Sequence, residues 1–176
     1  DALPICASAA YFGPGSTTPG PAVAIGSAGS SAPDVGAHAA GFVVATASAT
    51  GVEAQLLDGG GNLDPTAISV GAGTEPSVAA LSEGRVFVAW HAGGQGMGGG
   101  VDAAGPPGGE AQTGGAGSRP SVGAGAERFL IAWESGGTVR ARVYDGGGAV
   151  ARNRENPPTP DAFEVGAGTL PRVAVG

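Results

Sequence analysis

Three apolar runs dominate the pattern along the chain. GFVVAT (41–46), RVFVAW (85–90) and RFLIAW (128–133) recur about every 43 residues, each with large apolar side chains at consecutive positions. Odd and even positions are both apolar. In the middle run Val86, Val88 and Trp90 point one way and Phe87 and Ala89 the other. A strand of this kind must be covered on both faces. A different pattern lies downstream in TVRARVYD (138–145), where Val139, Ala141 and Val143 alternate with Arg140, Arg142 and Tyr144. That alternation predicts a strand with one face toward solvent. Short runs of small residues, P-x-V-x-A, begin about ten residues before each apolar run and predict a first strand. TAISV (66–70), AFEV (162–165) and PAVAI (21–25) predict a fourth. Glycine clusters fall between these segments, where hairpin turns require positive φ.

Alignment of the runs extends into whole repeats. Units span 33–75, 76–119 and 120–170, opening on PDVG, PSVA and PSVG and closing on VGAGTEP, GGAGSRP and VGAGTLP. Residues 6–32 read as the back half of a preceding unit, and PRVAVG (171–176) opens a further one. Asp58, Asp102 and Asp145 stand in register before small residues, in DGGG, DAAG and DGGG. In the 76–119 unit Gly98, Gly99 and Gly100 replace side chains expected on the third strand, and only EAQTG is left for the fourth. The outer strands of this unit are therefore expected to be degenerate. Residues 1–5, DALPI, are the translation of GACGCTCTTCCGATC, the end of a common short-read sequencing adaptor. They are expected to be an artefact of library construction, in preference to a lipobox around Cys6, because Ile5 stands where a lipobox has a small residue.

Four antiparallel strands per unit of about 43 to 51 residues, with the second buried from both sides, predict an all-β fold: a partial β-propeller whose units are blades. A single unit cannot cover both faces of its own second strand, so stability has to come from neighbouring units. A β-solenoid and an open sandwich are the structural alternatives.

Composition alters this picture little. Gly 36 and Pro 14 of 176 residues would suit a low-complexity chain, but 41% apolar and 13% charged residues do not fit the signature of disorder. A net charge of -7 with no basic run argues against a nucleic-acid partner. The longest apolar stretches are far shorter than a membrane-spanning helix. A single Cys allows no internal disulfide.

The PxVA … G(F/V)xVAW … VxAxxxDxxG … VGAGT pattern resembles the β-propeller repeats of secreted or surface-anchored bacterial proteins, many of them lipoproteins, and covers nearly the whole chain. The middle unit, ALSEGRVFVAWHAGGQGMG, is also similar to regulator-of-chromosome-condensation-type repeats, although His91 follows Trp90 and Met97 stands where Leu belongs. The resemblance implies an extracytoplasmic protein that binds a protein or a glycan, or serves as a scaffold. The alternative is the propeller portion of a larger secreted hydrolase with its catalytic residues elsewhere.

Candidate chemistry is sparse. No HExxH, GxSxG or Walker loop is present, and no cofactor, metal site or catalytic residue is expected. Each repeated Asp stands alone, without the alternating oxygens of a calcium loop, and is expected to stabilise a turn. Trp90 and Trp133 could stack on a sugar ring, but their repetition at a strand end favours packing between units. His38 reads as a turn residue, and Arg140, Arg142, Arg152 and Arg154 as a solvated edge. His91 and Glu134 follow the tryptophans and are expected in the loop joining strands two and three. Glu75 and Arg119 occupy matching closing loops. In a propeller these loops share one face around the channel, which makes the four residues the candidate ligand contacts.

Overall fold

The computed structural model describes residues 7–27, 29–101, 112–125, 127–151 and 162–174. Asp102, Arg152, Arg154, Cys6 and residues 1–5 lie outside them. The described chain is built from antiparallel strands. A short pair, β1 (Ala7–Ala9) and β2 (Val23–Ile25), precedes three four-stranded meanders. The first comprises β3 (Ser31–His38), β4 (Gly41–Ser48), β5 (Gly51–Asp58) and β6 (Ile68–Gly71). The second comprises β7 (Thr74–Ala80), β8 (Val86–Ala92), β9 (Gln95–Val101) and β10 (Gln112–Ala116). The third comprises β11 (Ser118–Gly125), β12 (Arg128–Ser135), β13 (Thr138–Asp145) and β14 (Phe163–Ala167). No helix long and apolar enough to cross a membrane occurs among the described residues.

Each apolar run is the second strand of a separate sheet; the two faces of β4 and of β8 serve two different cores, whereas β12 contributes to one, through Phe129, Ile131 and Trp133. Val86, Val88 and Trp90 of β8 pack with Val43, Ala45, Val52, Ala54 and Val70 of the first sheet. From the opposite face of β8, Phe87 and Ala89 pack with Phe129, Ile131, Trp133 and Tyr144 of the third sheet. Phe87 is fully buried, with its ring centroid 5.0 Å from that of Phe129 and 5.1 Å from that of Tyr144. Burying one such side chain is worth roughly 1.5–3 kcal/mol. The middle sheet thus joins the two cores, with β7 packed beside both β3 and β11.

Within the glycine run of the middle unit, Gly98 has a packing cause. β9 pairs with β8 along its full length, and β10 pairs with β9 from Gln112 to Ala116. Both outer strands therefore form despite their few side chains. Gly98 lies opposite Ala89, and a Cβ there would come 2.6 Å from Ile131 Cδ1 and 2.7 Å from Phe87 Cε1. The missing side chain is the space that the aromatic cluster occupies.

The hairpins joining second and third strands are two-residue turns. Gly93 and Gly94 (φ 58° and 79°) lie between paired Ala92 and Gln95, and Gly136 and Gly137 (φ 61° and 83°) between paired Ser135 and Thr138. Positive φ at both central residues is what the type I′ hairpin turn demands. A second recurrent device lies beneath the tryptophans. Trp90 Nε1 donates to Ala72 O and Trp133 Nε1 to Ala116 O, both at 3.2 Å. These carbonyls belong to the Gly-Ala-Gly links that join one sheet to the next. A Cβ at Gly73 or Gly117, at φ 151° and 149°, would lie 2.5 Å from the indole Cδ1 of Trp90 or Trp133. The tryptophans are interunit packing residues, each seated under the link from the preceding sheet.

Successive units are also tied by a repeated hydrogen bond to the residue between Pro and Val. Asp34 Oδ2 accepts Val78 N–H at 2.8 Å, Ser77 Oγ accepts Val122 N–H at 3.2 Å, and Ser121 Oγ accepts Val173 N–H at 3.0 Å. Ser77 and Val122 are both buried, so deleting the hydroxyl strands a donor away from water. Ser77→Ala is expected to lower unfolding free energy by about 1–3 kcal/mol, read as a reduced urea midpoint. Tyr144 supplies a second test. Burial pushes its phenol above the usual tyrosine range, against the opposing effect of the neighbouring Arg142 charge. The fold therefore favours the protonated phenol. Its contribution is complete below the ordinary value of about 10 and is lost as pH rises through the raised one. Stability followed by circular dichroism is expected to decline above about pH 10, and Tyr144→Phe to flatten that decline.

Candidate functional site

A cavity of about 650 Å³ is lined by residues 32–35, 75–78, 119–122 and 170–173. These are the same four positions of four successive units, each reading x-Pro-x-Val. Local chemistry explains why they make a rim. Proline has no N–H to give to a ladder, and pairing of β3, β7 and β11 with their neighbours shifts register between Ser31 and Asp34, Thr74 and Ser77, and Ser118 and Ser121. Each first strand is thus bulged at its x-Pro step. Ala32, Glu75, Arg119 and Leu170, the residues before the prolines, all have left-handed backbones with φ of 47°, 54°, 53° and 55°. That conformation costs a non-glycine residue roughly 1–2 kcal/mol. It recurs at all four positions although their side chains share nothing.

The charged groups on the rim are linked in series. Arg119 N–H donates to Glu75 Oε2 at 2.9 Å, and Arg119 Nη1 donates to Glu134 Oε2 at 2.7 Å. The Arg119 side chain is 48% exposed and that of Glu134 18%, so this ion pair positions the guanidinium more than it stabilises the fold. Asp34 and Arg172 line the same cavity at the position between Pro and Val.

Of the four candidate contacts, Glu75 and Arg119 line the cavity and Glu134 joins them through Arg119. His91 pairs with Thr74 and Gly96 in its sheet and does not line the cavity. None of the four lies in a loop as expected. His91 and Glu134 are within β8 and β12, because the two-glycine turns let those strands run on to residues 92 and 135. Glu75 and Arg119 sit in the bulges of β7 and β11. The cavity positions not singled out from sequence are Ala32, Asp34, Ser77, Ser121, Leu170 and Arg172. Their signal was variability at fixed places in an otherwise uniform x-Pro-x-Val motif.

Of the repeated aspartates, Asp58 and Asp145 act on their own turns, and Asp102 lies outside the described residues. Asp58 Oδ1 accepts the N–H groups of Gly60 and Asn62 at 2.9 and 2.8 Å, and Asp145 Oδ1 those of Gly147 and Ala149 at 2.9 and 3.0 Å. Asn62 Nδ2 adds a bond to Asp58 Oδ2 at 2.8 Å. His38 Nδ1 accepts Ala40 N–H at 3.3 Å in another turn. Arg140 is exposed, and Arg142 lies against the Tyr144 hydroxyl. No group of three His, Cys, Asp or Glu side chains able to hold a metal ion occurs among the described residues.

The Asn62 side chain, followed by its backbone N–H, holds the Asp58 carboxyl below the usual carboxylate range. A carboxyl titration by NMR is expected to show Asp58 ionising below an exposed aspartate and moving back up in Asn62→Ala. Comparison with known proteins adds no homologue: no family model matches the chain, and neither does any curated protein.

Proposed function

We propose that the three four-stranded sheets are blades of a β-propeller and that the x-Pro-x-Val cavity is the ligand face of its channel. The chain then belongs to a non-catalytic binding or scaffold module of an extracytoplasmic bacterial protein, with a protein or glycan as partner. The observation that carries this reading is the convergence of one four-residue segment from four successive units on a single cavity. In that segment Pro and Val are constant, as packing requires. The residue before Pro and the residue after it run Ala, Glu, Arg, Leu and Asp, Ser, Ser, Arg. Constant framework with variable presented groups is how a repeat array builds a specific surface. Placement in a secreted or surface protein draws on the resemblance of the repeats alone.

A glycan array probed with the whole chain tests the reading. Binding is expected to fall at least about tenfold in Glu75→Ala/Arg119→Ala, the loss of roughly 1.4 kcal/mol. His91→Ala, outside the cavity, is expected to leave binding unchanged. Full retention in the double variant, or loss confined to His91→Ala, would remove the cavity as the ligand face.

A further inference from the structure

The rim itself shows what it can hold. At the junction of the second and third sheets, the carboxylate of Glu75 accepts the backbone N–H of Arg119, the left-handed residue before Pro120. One unit later the equivalent residue is Leu170, with φ of 55° against 53° for Arg119. The side chain in the place of Glu75 is now Arg119, which has five donors and no acceptor. It cannot serve the Leu170 N–H, and among the described residues that N–H donates to no other group.

Arg172 repeats the substitution of donor for acceptor. Asp34, Ser77 and Ser121 use a side-chain oxygen at this position to accept a valine N–H from the next unit. An arginine has no oxygen to offer. Arg172 is exposed, lines the cavity, and forms no ion pair among the described residues. Arg119 is held by Glu134 through Nη1 alone, which leaves further N–H groups of its fork to donate. The carboxylates in or beside the cavity are each engaged: Glu75 and Glu134 with Arg119, and Asp34 with Val78 N–H. One junction therefore presents a backbone amide and two guanidinium groups where the preceding junction holds its own carboxylate.

We propose that this third junction is a carboxylate subsite. A ligand carboxylate accepts from Leu170 N–H as the Glu75 carboxylate does from Arg119 N–H, and the Arg172 guanidinium clasps it, with Arg119 alongside. Charge-assisted bonds from arginine forks to planar carboxylates are short and directional. The assignment rests on the cavity being the ligand face, and it names the chemistry of the group bound there.

Titration of the ¹⁵N-labelled whole chain with D-glucuronate, N-acetylglycine and glucose tests it. At least one of the two acids is expected to shift the Leu170 and Val173 amides saturably, and the tighter one distinguishes a sugar acid from a peptide carboxylate. Arg172→Gln is expected to weaken that binding about tenfold. Arg119→Gln is expected to weaken it less, with amide dispersion retained in both variants. Equal shifts by glucose, insensitive to Arg172→Gln, would overturn the carboxylate subsite and leave the cavity as a ligand face. Absence of saturable shifts from either acid would overturn the subsite as well, whereas the array result bears separately on the cavity.

Discussion

Everything in this molecule depends on strands that are oily on both sides. A strand such as β8, with valines and a tryptophan on one face and a phenylalanine on the other, is unstable until something apolar covers each face. Within one meander only hydrogen-bonded neighbours are available, and they lie edge to edge. Coverage has to come from another sheet. The consequence is an arrangement in which sheets stack face to face and the middle one contributes to two cores at once. Its fit is close enough that one position, Gly98, must forgo a side chain so that Phe87 and Ile131 can meet.

Stacking by apolar contact alone would leave the sheets free to slide. Two directional contacts fix the register. The indole N–H of each tryptophan reaches the carbonyl of the Gly-Ala-Gly link from the preceding sheet. The side chain between Pro and Val reaches a valine amide of the following unit. Hydrogen bonds of this kind contribute modestly in net free energy but cost much if left half made. They select one stacking over its near alternatives, and in doing so they bring the four x-Pro-x-Val segments together around a common cavity.

How much of this was legible in the sequence follows from which forces write themselves into local pattern. The second strands were legible because two-sided apolarity calls for cover on both faces, and β13 was legible as a strand but not in its facing: Tyr144, read on the solvent side, is fully buried with Phe87 and Phe129, while Val139 and Val143 are only half-buried. The tryptophan packing and the aspartate turns were legible from recurrence beside glycines. The ends of strands were not. His91 and Glu134 read as loop residues, yet a two-glycine type I′ turn lets the ladder continue to its last pair, and nothing in either side chain signals that. Gly98 of β9 read as a deficiency because one of the side chains that fill its space, Ile131, comes from β12, remote in sequence. The site was half legible: Glu75 and Arg119 stood out as charges, whereas Asp34, Ser77 and Ser121 looked like ordinary small polar residues until their partners 44 to 52 positions away appeared.

The x-Pro bulges carry a further consequence. β3, β7 and β11 are each the terminal strand of a sheet, and a regular terminal strand exposes a row of amides and carbonyls that can template the addition of another chain. Here the row is interrupted by a residue without an N–H and by a left-handed neighbour that turns its peptide out of line. Regular pairing along these edges is broken at the x-Pro step. The kink that brings the variable residues to the cavity thus also breaks the regularity of these exposed edges, which makes them poorer templates for edge-to-edge association.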